Sequence, residues 1–356
     1  MSTYMEYQDS ATAIWDEISD TEVQSMLDQI LGDNSFSFTE YMTKLLQGKS
    51  PVDARQVGQD IWNGLLLNLQ QHKSMYLYLV LIVLIGAVLS NFSKLLQGKQ
   101  VAETAFYGVY LLLFSFFATA YTQITMMAEQ TLTQLLDFIK VLAPAYFISM
   151  TFSQGATATT AYYEFTLFMV MVVDLLLIRF LLPAVNLYFI LQLVNQLSED
   201  EMFSRMAALI RDLVKLAVRT IFGIMMGINV IQGLILPVAA QVEKSALVKV
   251  GSAIPGVGNT IGSVTSAVLC AGKLVKNAVG VTGVIAVFLI CVIPLLHLLF
   301  YRFSYQLIAA VVQPISDGRV IRCFGAMTES VRLLVQIIAM AAMLFILSIV
   351  VVSSMT

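Results

Sequence analysis

From Met75 to the C-terminus the chain is built of apolar runs about twenty residues long, the length a helix needs to cross roughly 30 Å of hydrocarbon. Runs of that length, repeated along most of a chain, leave little room for any architecture but membrane-spanning helices. The composition agrees: 58% of the 356 residues are hydrophobic and 12% are charged, about half the charge of a soluble domain. The fold class read from this pattern is all-α, a polytopic helical membrane protein with about seven to eight spans. Met75–Phe92, Ala105–Met126, Ile221–Ala240, Val281–Tyr301 and Leu333–Val352 are clear spans. Leu132–Phe152 carries Asp137, Lys140 and Pro144, and Tyr162–Gln196 is broken near Arg179 and Pro183. The latter run is long enough for two tight spans or for one long kinked helix.

Residues 1–74 form a different region. They hold 11 Asp/Glu and 4 Lys/Arg, so this head carries −7 and the membrane body, 75–356, carries +4. Two capping boxes, Ser19 with Glu22 and Ser37 with Glu40, mark helix starts, and Ser50–Pro51 marks a third. The faces behind them are Val23, Met26, Leu27, Ile30 and Leu31, then Leu45 and Leu46, then Val57, Ile61, Leu65 and Leu69. Short amphipathic helices of this kind need a partner surface. Lys94 and Lys99 mark the loop after the first span as cytoplasmic by the positive-inside tendency, which puts the acidic head on the opposite, extracytoplasmic side. Residues 198–219 open on a further box, Ser198 with Glu201, and read as a basic amphipathic helix along the cytoplasmic interface. Arg302, Arg319, Arg322 and Arg332 mark another cytoplasmic loop.

Residues 241–279 do not read as an ordinary span. Gly251, Pro255, Gly256, Gly258 and Gly262 crowd twelve residues that cannot start a regular helix. Gly258, Gly262, Ser266 and Cys270 then recur every fourth residue, a row that lets another backbone approach closely or lines a pore. Gly223 and Gly227 make a GxxxG pair with the same implication. Irregular backbone at membrane depth needs cover by protein or a water-filled cavity, so a re-entrant hairpin and a tightly packed helix are both open readings. A hairpin that does not cross leaves the 302–332 loop in the cytoplasm, as its arginines require.

The chemistry the sequence excludes is as informative. Gly256, Gly258 and Gly262 do not fit a dinucleotide or P-loop pattern, and the net charge of −3 gives no reason to expect nucleic acid. With only His72 and His297, His-based zinc sites are out of reach, and no nucleophile motif surrounds any serine. Cys270, Cys291 and Cys323 match no metal spacing. No enzyme, cofactor or metal is expected. Asp137 and Lys140 can pair along one helix, whereas Asp174 and Arg179, which share an apolar region with Glu164, are five apart and are each expected to look to another helix. Such groups, with His297, should face the bundle or a cavity, where they either fix assembly or line a path for an ion.

Two C-terminal runs carry a resemblance. VKVGSAIPGVGNTIGSVTSAVLCAGKLVKNAVGVTGV (Val248–Val284) and IAAVVQPISDGRVIRCFGAM (Ile308–Met327), with the QPxxDG core at Gln313, Pro314, Asp317 and Gly318, resemble the stage III sporulation protein AE family. The resemblance implies a subunit of the multi-protein, secretion-like channel complex that links mother cell and forespore in endospore-forming bacteria and supports late forespore gene expression. It implies residence in the mother-cell-derived membrane around the forespore. The implied partners are other subunits of the same sporulation operon and a forespore-side protein across the intermembrane space, with a homo-oligomer also open. The family typically begins with a cleaved signal peptide, whereas MSTYMEYQDS has neither a basic nor an apolar leader region. The alternative from the residues alone is an independent secondary transporter or permease for a small solute, with Glu164, Asp174 and Gly251–Gly262 forming its path.

Overall fold

The computed structural model describes residues 21–31, 37–47, 81, 99–196, 202–252, 258–314, 316 and 318–354, and every regular element among them is helical. The third head helix, the Met75–Phe92 span apart from Leu81, Ser19, the Ser198–Glu201 box, Pro255, Gly256 and Asp317 lie outside the described residues. Two short head helices come first, α1 (Thr21–Leu31) and α2 (Phe38–Leu46). Ser37 caps α2 as its capping box requires: its backbone is extended and its hydroxyl accepts the Glu40 N–H at 3.2 Å. The Gln24 side chain of α1 accepts the Phe38 N–H at 2.7 Å and ties the two helices together. Val23, Leu27, Phe38, Met42 and Leu46 are buried in the same apolar core as the long helices.

Those long helices are α3 (Lys99–Gln154), α4 (Ala156–Val172) continuing through a π-helical segment, π1 (Val173–Leu181), into α5 (Leu182–Asn195), then α6 (Ser204–Ser252), α7 (Gly258–Val312) and α8 (Gly318–Ser354). Head helix α1 packs on α3, and α2 on α7. Five stretches are long and apolar enough to cross a membrane: Tyr110–Thr151, Thr159–Asn195, Ser204–Leu234, Val268–Val312 and Gly318–Ser354. Seven to eight were expected, and continuity accounts for the difference among the described residues. Ala105–Met126 and Leu132–Phe152 are one helix, since the polar stretch between them holds no glycine or proline to break it. Tyr162–Gln196 is a single stretch with a π segment rather than two spans. The basic amphipathic segment runs on into the next span as α6, and the small-residue row runs into Val281–Tyr301 as α7.

Cross-helix contacts fix the directions. Gly155, at φ 90° and ψ 169°, turns α3 back into α4. Tyr146 then meets Tyr162, Thr125 meets Asn186, Tyr121 stacks on Phe189, and the Tyr110 hydroxyl reaches the Leu193 carbonyl. This is an antiparallel hairpin along its whole length. Phe117 touches Tyr305 and Phe324, while Tyr146 bonds Ser353 at the far end. Helices α3 and α8 are therefore parallel, with α7 antiparallel between them. Helix α6 is parallel to α8, held by Lys215–Glu329 near one end and by Gly233 against Val351 near the other.

The backbone angles at Gly155 belong to a region that only glycine occupies without strain. Gly155→Ala should destabilise the full chain by about 1–3 kcal/mol. Thermal unfolding in detergent would read this as a lower midpoint, whereas the control Gly108→Ala, helical and in open space, should leave it unchanged or raise it.

Candidate functional site

The apolar stretch Leu333–Val352 of α8 serves as a ruler for membrane depth. The contacts Phe117–Phe324 and Tyr146–Ser353 share one offset of 207 residues, so Met126–Ala145 of α3 lies beside that stretch. Ile221–Gly233 of α6 and Thr282–Tyr301 of α7 lie at the same depth, and neither they nor Leu333–Val352 contain Asp, Glu, Lys or Arg. The α3–α4 hairpin does. Glu129, Asp137 and Lys140 fall inside the matching part of α3, and Glu164, Asp174 and Arg179 fall between the contacts of Tyr162 and Asn186 with α3.

None of the six turns inward. Glu129, Glu164, Lys140 and Arg179 are exposed, and Asp137 and Asp174 keep 40% of their side-chain surface accessible. The expectation that these groups face the bundle of their own chain is thus replaced by an outward-facing belt. Asp137 and Lys140 pair at 2.8 Å, as their spacing predicts. Asp174 and Arg179 pair as well, at 3.0 Å, against the expectation that each seeks another helix. On an α-helix residues five apart point about 140° away from each other, but a π segment closes i→i+5 rings and stacks them. Pro183 supplies a local reason for the wide turn, because it lacks an N–H and its ring would collide with the Arg179 carbonyl in a regular helix.

Beside the belt, Thr125, Glu129 and Asn186 line a groove of about 340 Å³ between α3 and α5, where the Thr125 hydroxyl donates to the Asn186 side-chain oxygen at 3.2 Å. Sequence reasoning passed over Glu129 because it sits between two apparent spans rather than within one.

Among the described glycines, the tightest contacts are on α7. A Cβ at Gly280 would collide with the Ser353 hydroxyl, and one at Gly283 would stand 2.9 Å from Leu142. Nearby Lys276 is 1% exposed and donates to the Val352 carbonyl at 3.3 Å, against the C-terminal end of α8. Gly280 and Gly283 lie ten and thirteen residues past Cys270, outside the four-residue register of the row, so that spacing gave no signal for them. The Gly223/Gly227 pair, by contrast, meets nothing within 4 Å, so close approach through it does not occur within the described residues.

The remaining sites from the sequence are dispersed. Gly251 lies in the last turn of α6 and Gly258 is the first residue of α7; Gly262, Ser266 and Cys270 follow on α7, with Cys270 exposed. His297 is half-buried on α7, and Cys291 and Cys323 are buried thiols. Gln313 and Pro314 form the corner between α7 and α8: the Gln313 and Ser316 N–H groups close on Ala309 and Val312, and Gly318 begins α8. Among the described residues no three His, Cys, Asp or Glu side chains gather as metal ligands.

The likeness to known proteins covers these elements and most of the rest of the chain. The profile of the family described as stage III sporulation protein AE matches residues 36–356. The chain belongs to the stage III sporulation protein AE family. Stage III sporulation protein AE of Bacillus subtilis (strain 168) is 25% identical over 336 residues, covering 94% of this chain and 80% of the relative. No solved structure matches the chain. Among its described residues this member of the family is all-helical, with five helices long and apolar enough to cross a membrane and with ionisable groups on its outer face level with the apolar stretch of α8.

The tight α7–α8 contact can be separated from the open glycine pair by substitution. Gly280→Val should displace Ser353, break its bond to Tyr146 and lower the unfolding midpoint by the equivalent of about 1–3 kcal/mol. Gly227→Val should stay within about 0.5 kcal/mol in the same detergent melt.

Proposed function

We propose that this chain is a membrane platform subunit of the multi-protein complex joining mother cell and forespore. It resides in the mother-cell-derived membrane and supports late forespore gene expression through assembly rather than by catalysis. Family membership supports the sporulation role. The observation that carries the assembly role is the outward belt of Glu129, Asp137, Lys140, Asp174 and Arg179 beside uninterrupted apolar stretches of α6 and α8. An ionisable side chain at the bilayer centre costs about 2.5–3.5 kcal/mol or more against lipid. A face holding five of them is one that other subunits cover or that borders an aqueous path between subunits.

In this reading the basic end of the bundle is cytoplasmic. Lys99, the α5–α6 connection with Arg205 and Arg211, and the α7–α8 corner with Arg319 and Arg322 all gather at one end, as the positive-inside tendency favours. The acidic head then serves the intermembrane space. A self-contained transporter is the weaker reading, because Asp174 is already neutralised by Arg179 and both lie on the outer surface.

Affinity capture from solubilised membranes of sporulating cells tests this. The native chain should recover the other membrane proteins of its operon. Replacing Asp137, Lys140, Asp174 and Arg179 together by leucine should cut that recovery at least about tenfold, the equivalent of 1.4 kcal/mol, while the chain stays membrane-inserted. Undiminished recovery, with normal forespore reporter expression, would sink the assigned role of the belt.

A further inference from the structure

We infer that the cleft between α6 and α8 is a binding site for one anionic phospholipid, its headgroup at Lys215, Arg219 and Arg332 and one acyl chain along Phe222, Met340 and Met343. These residues line a single groove of about 330 Å³. Its mouth is basic. Lys215 is held by Glu329 at 2.5 Å, and Arg332 touches the same carboxylate at 3.6 Å. Arg219 makes no ion pair with any described residue and is exposed. Counting the flanking Arg211–Asp212 pair, four cations face two carboxylates, an excess of two positive charges.

The depth fits a lipid rather than a free anion. Arg219 and Arg332 are the last charged residues before the apolar stretches of their parallel helices, so the basic mouth lies where hydrocarbon begins. Below it the wall is apolar but for Gln336 as far as Met343, eleven residues beyond Arg332, or about 16 Å at 1.5 Å per residue. That is roughly one leaflet's share of a 30 Å core. Basic pockets between spanning helices are the kind of site that recognises acidic headgroups. The Lys215–Glu329 bridge, which joins the two helices, orders the mouth without cancelling its charge.

Native mass spectrometry of the full chain in detergent, with phosphatidylglycerol or phosphatidylcholine added, tests the site. Phosphatidylglycerol should be retained preferentially, and Arg219→Gln with Arg332→Gln should lower retention about 25-fold, at roughly fivefold per cation. Lys44→Gln, on head helix α2, should leave lipid retention unchanged. A second measurement leaves the basic mouth intact: in liposomes, Met343→Trp fluorescence should be quenched more by brominated phosphatidylglycerol than by brominated phosphatidylcholine. Equal retention of both lipids, or retention indifferent to the double variant, would overturn the site. So would displacement of the lipid by millimolar inorganic phosphate, which would mark a bare anion site. Displacement by an acidic peptide from a co-purifying protein would reassign the cleft to a partner.

Discussion

Helix α7 passes so close to its neighbours at Gly280 and Gly283 that any side chain there would displace Ser353 of α8 or Leu142 of α3. This contact locks three very long helices together at one end, and the aromatic set Phe117, Tyr305 and Phe324 locks them at the other. Everything else is mounted on that spine. The α4–π1–α5 return strand of the hairpin leans on α3, α6 leans on α8, and the two head helices fill the remaining corner against α3 and α7. Such packing matters more in lipid than in water, because helices gain little there from hiding apolar surface and depend on van der Waals contact and hydrogen bonds. The bonds of Tyr146 to Ser353 and of Lys276 to the Val352 carbonyl, both at the end of α8, fit that account.

The two flanks of the spine are chemically unlike. On one side, α6 presents Leu216, Ile224, Ile231 and Leu234 to its surroundings, an apolar face with a basic rim. On the other, the α3–α4 hairpin presents carboxylates and their partner cations at the same depth. A helix bundle in a uniform solvent would have no reason to differ so strongly between its faces. One flank is uncharged at this depth, whereas the other sets paired charges among exposed Leu167, Phe168, Met171 and Phe180.

Much of this was legible in the sequence. Apolar runs of span length give the all-helical membrane class, and Ser37 with Glu40 places the start of α2 within a residue. Family membership could be read from the C-terminal motifs, of which Gln313 and Pro314 prove to be a helix corner. What was hidden is continuity. Hydropathy marks where a chain becomes polar, but polarity alone does not end a helix: Glu129 interrupts the apolar run of α3 without interrupting its backbone. Direction was hidden too, since periodicity says which residues share a face but not whether that face meets lipid or protein. The glycines illustrate both points. Gly223 and Gly227 have the familiar spacing and meet nothing within 4 Å, while Gly280 and Gly283 have a less familiar one and make the tightest contacts among the described glycines.

The π segment at Val173–Leu181 has a consequence for how this hairpin tolerates change in chain length. By widening its turns it takes up surplus residue within a fixed span of axis, and so sets the phase of everything that follows. Val185, Tyr188 and Phe189 point inward because of that phase. Removing the surplus residue would let the segment relax to an ordinary α-helix with that phase kept, whereas removing one from the regular turn just after it would rotate the rest of α5 by about 100° relative to α3. The stacked Tyr121–Phe189 pair and the Thr125–Asn186 bond would be carried away from the interface together. In this stretch the number of residues, as much as their identity, is a determinant of the fold.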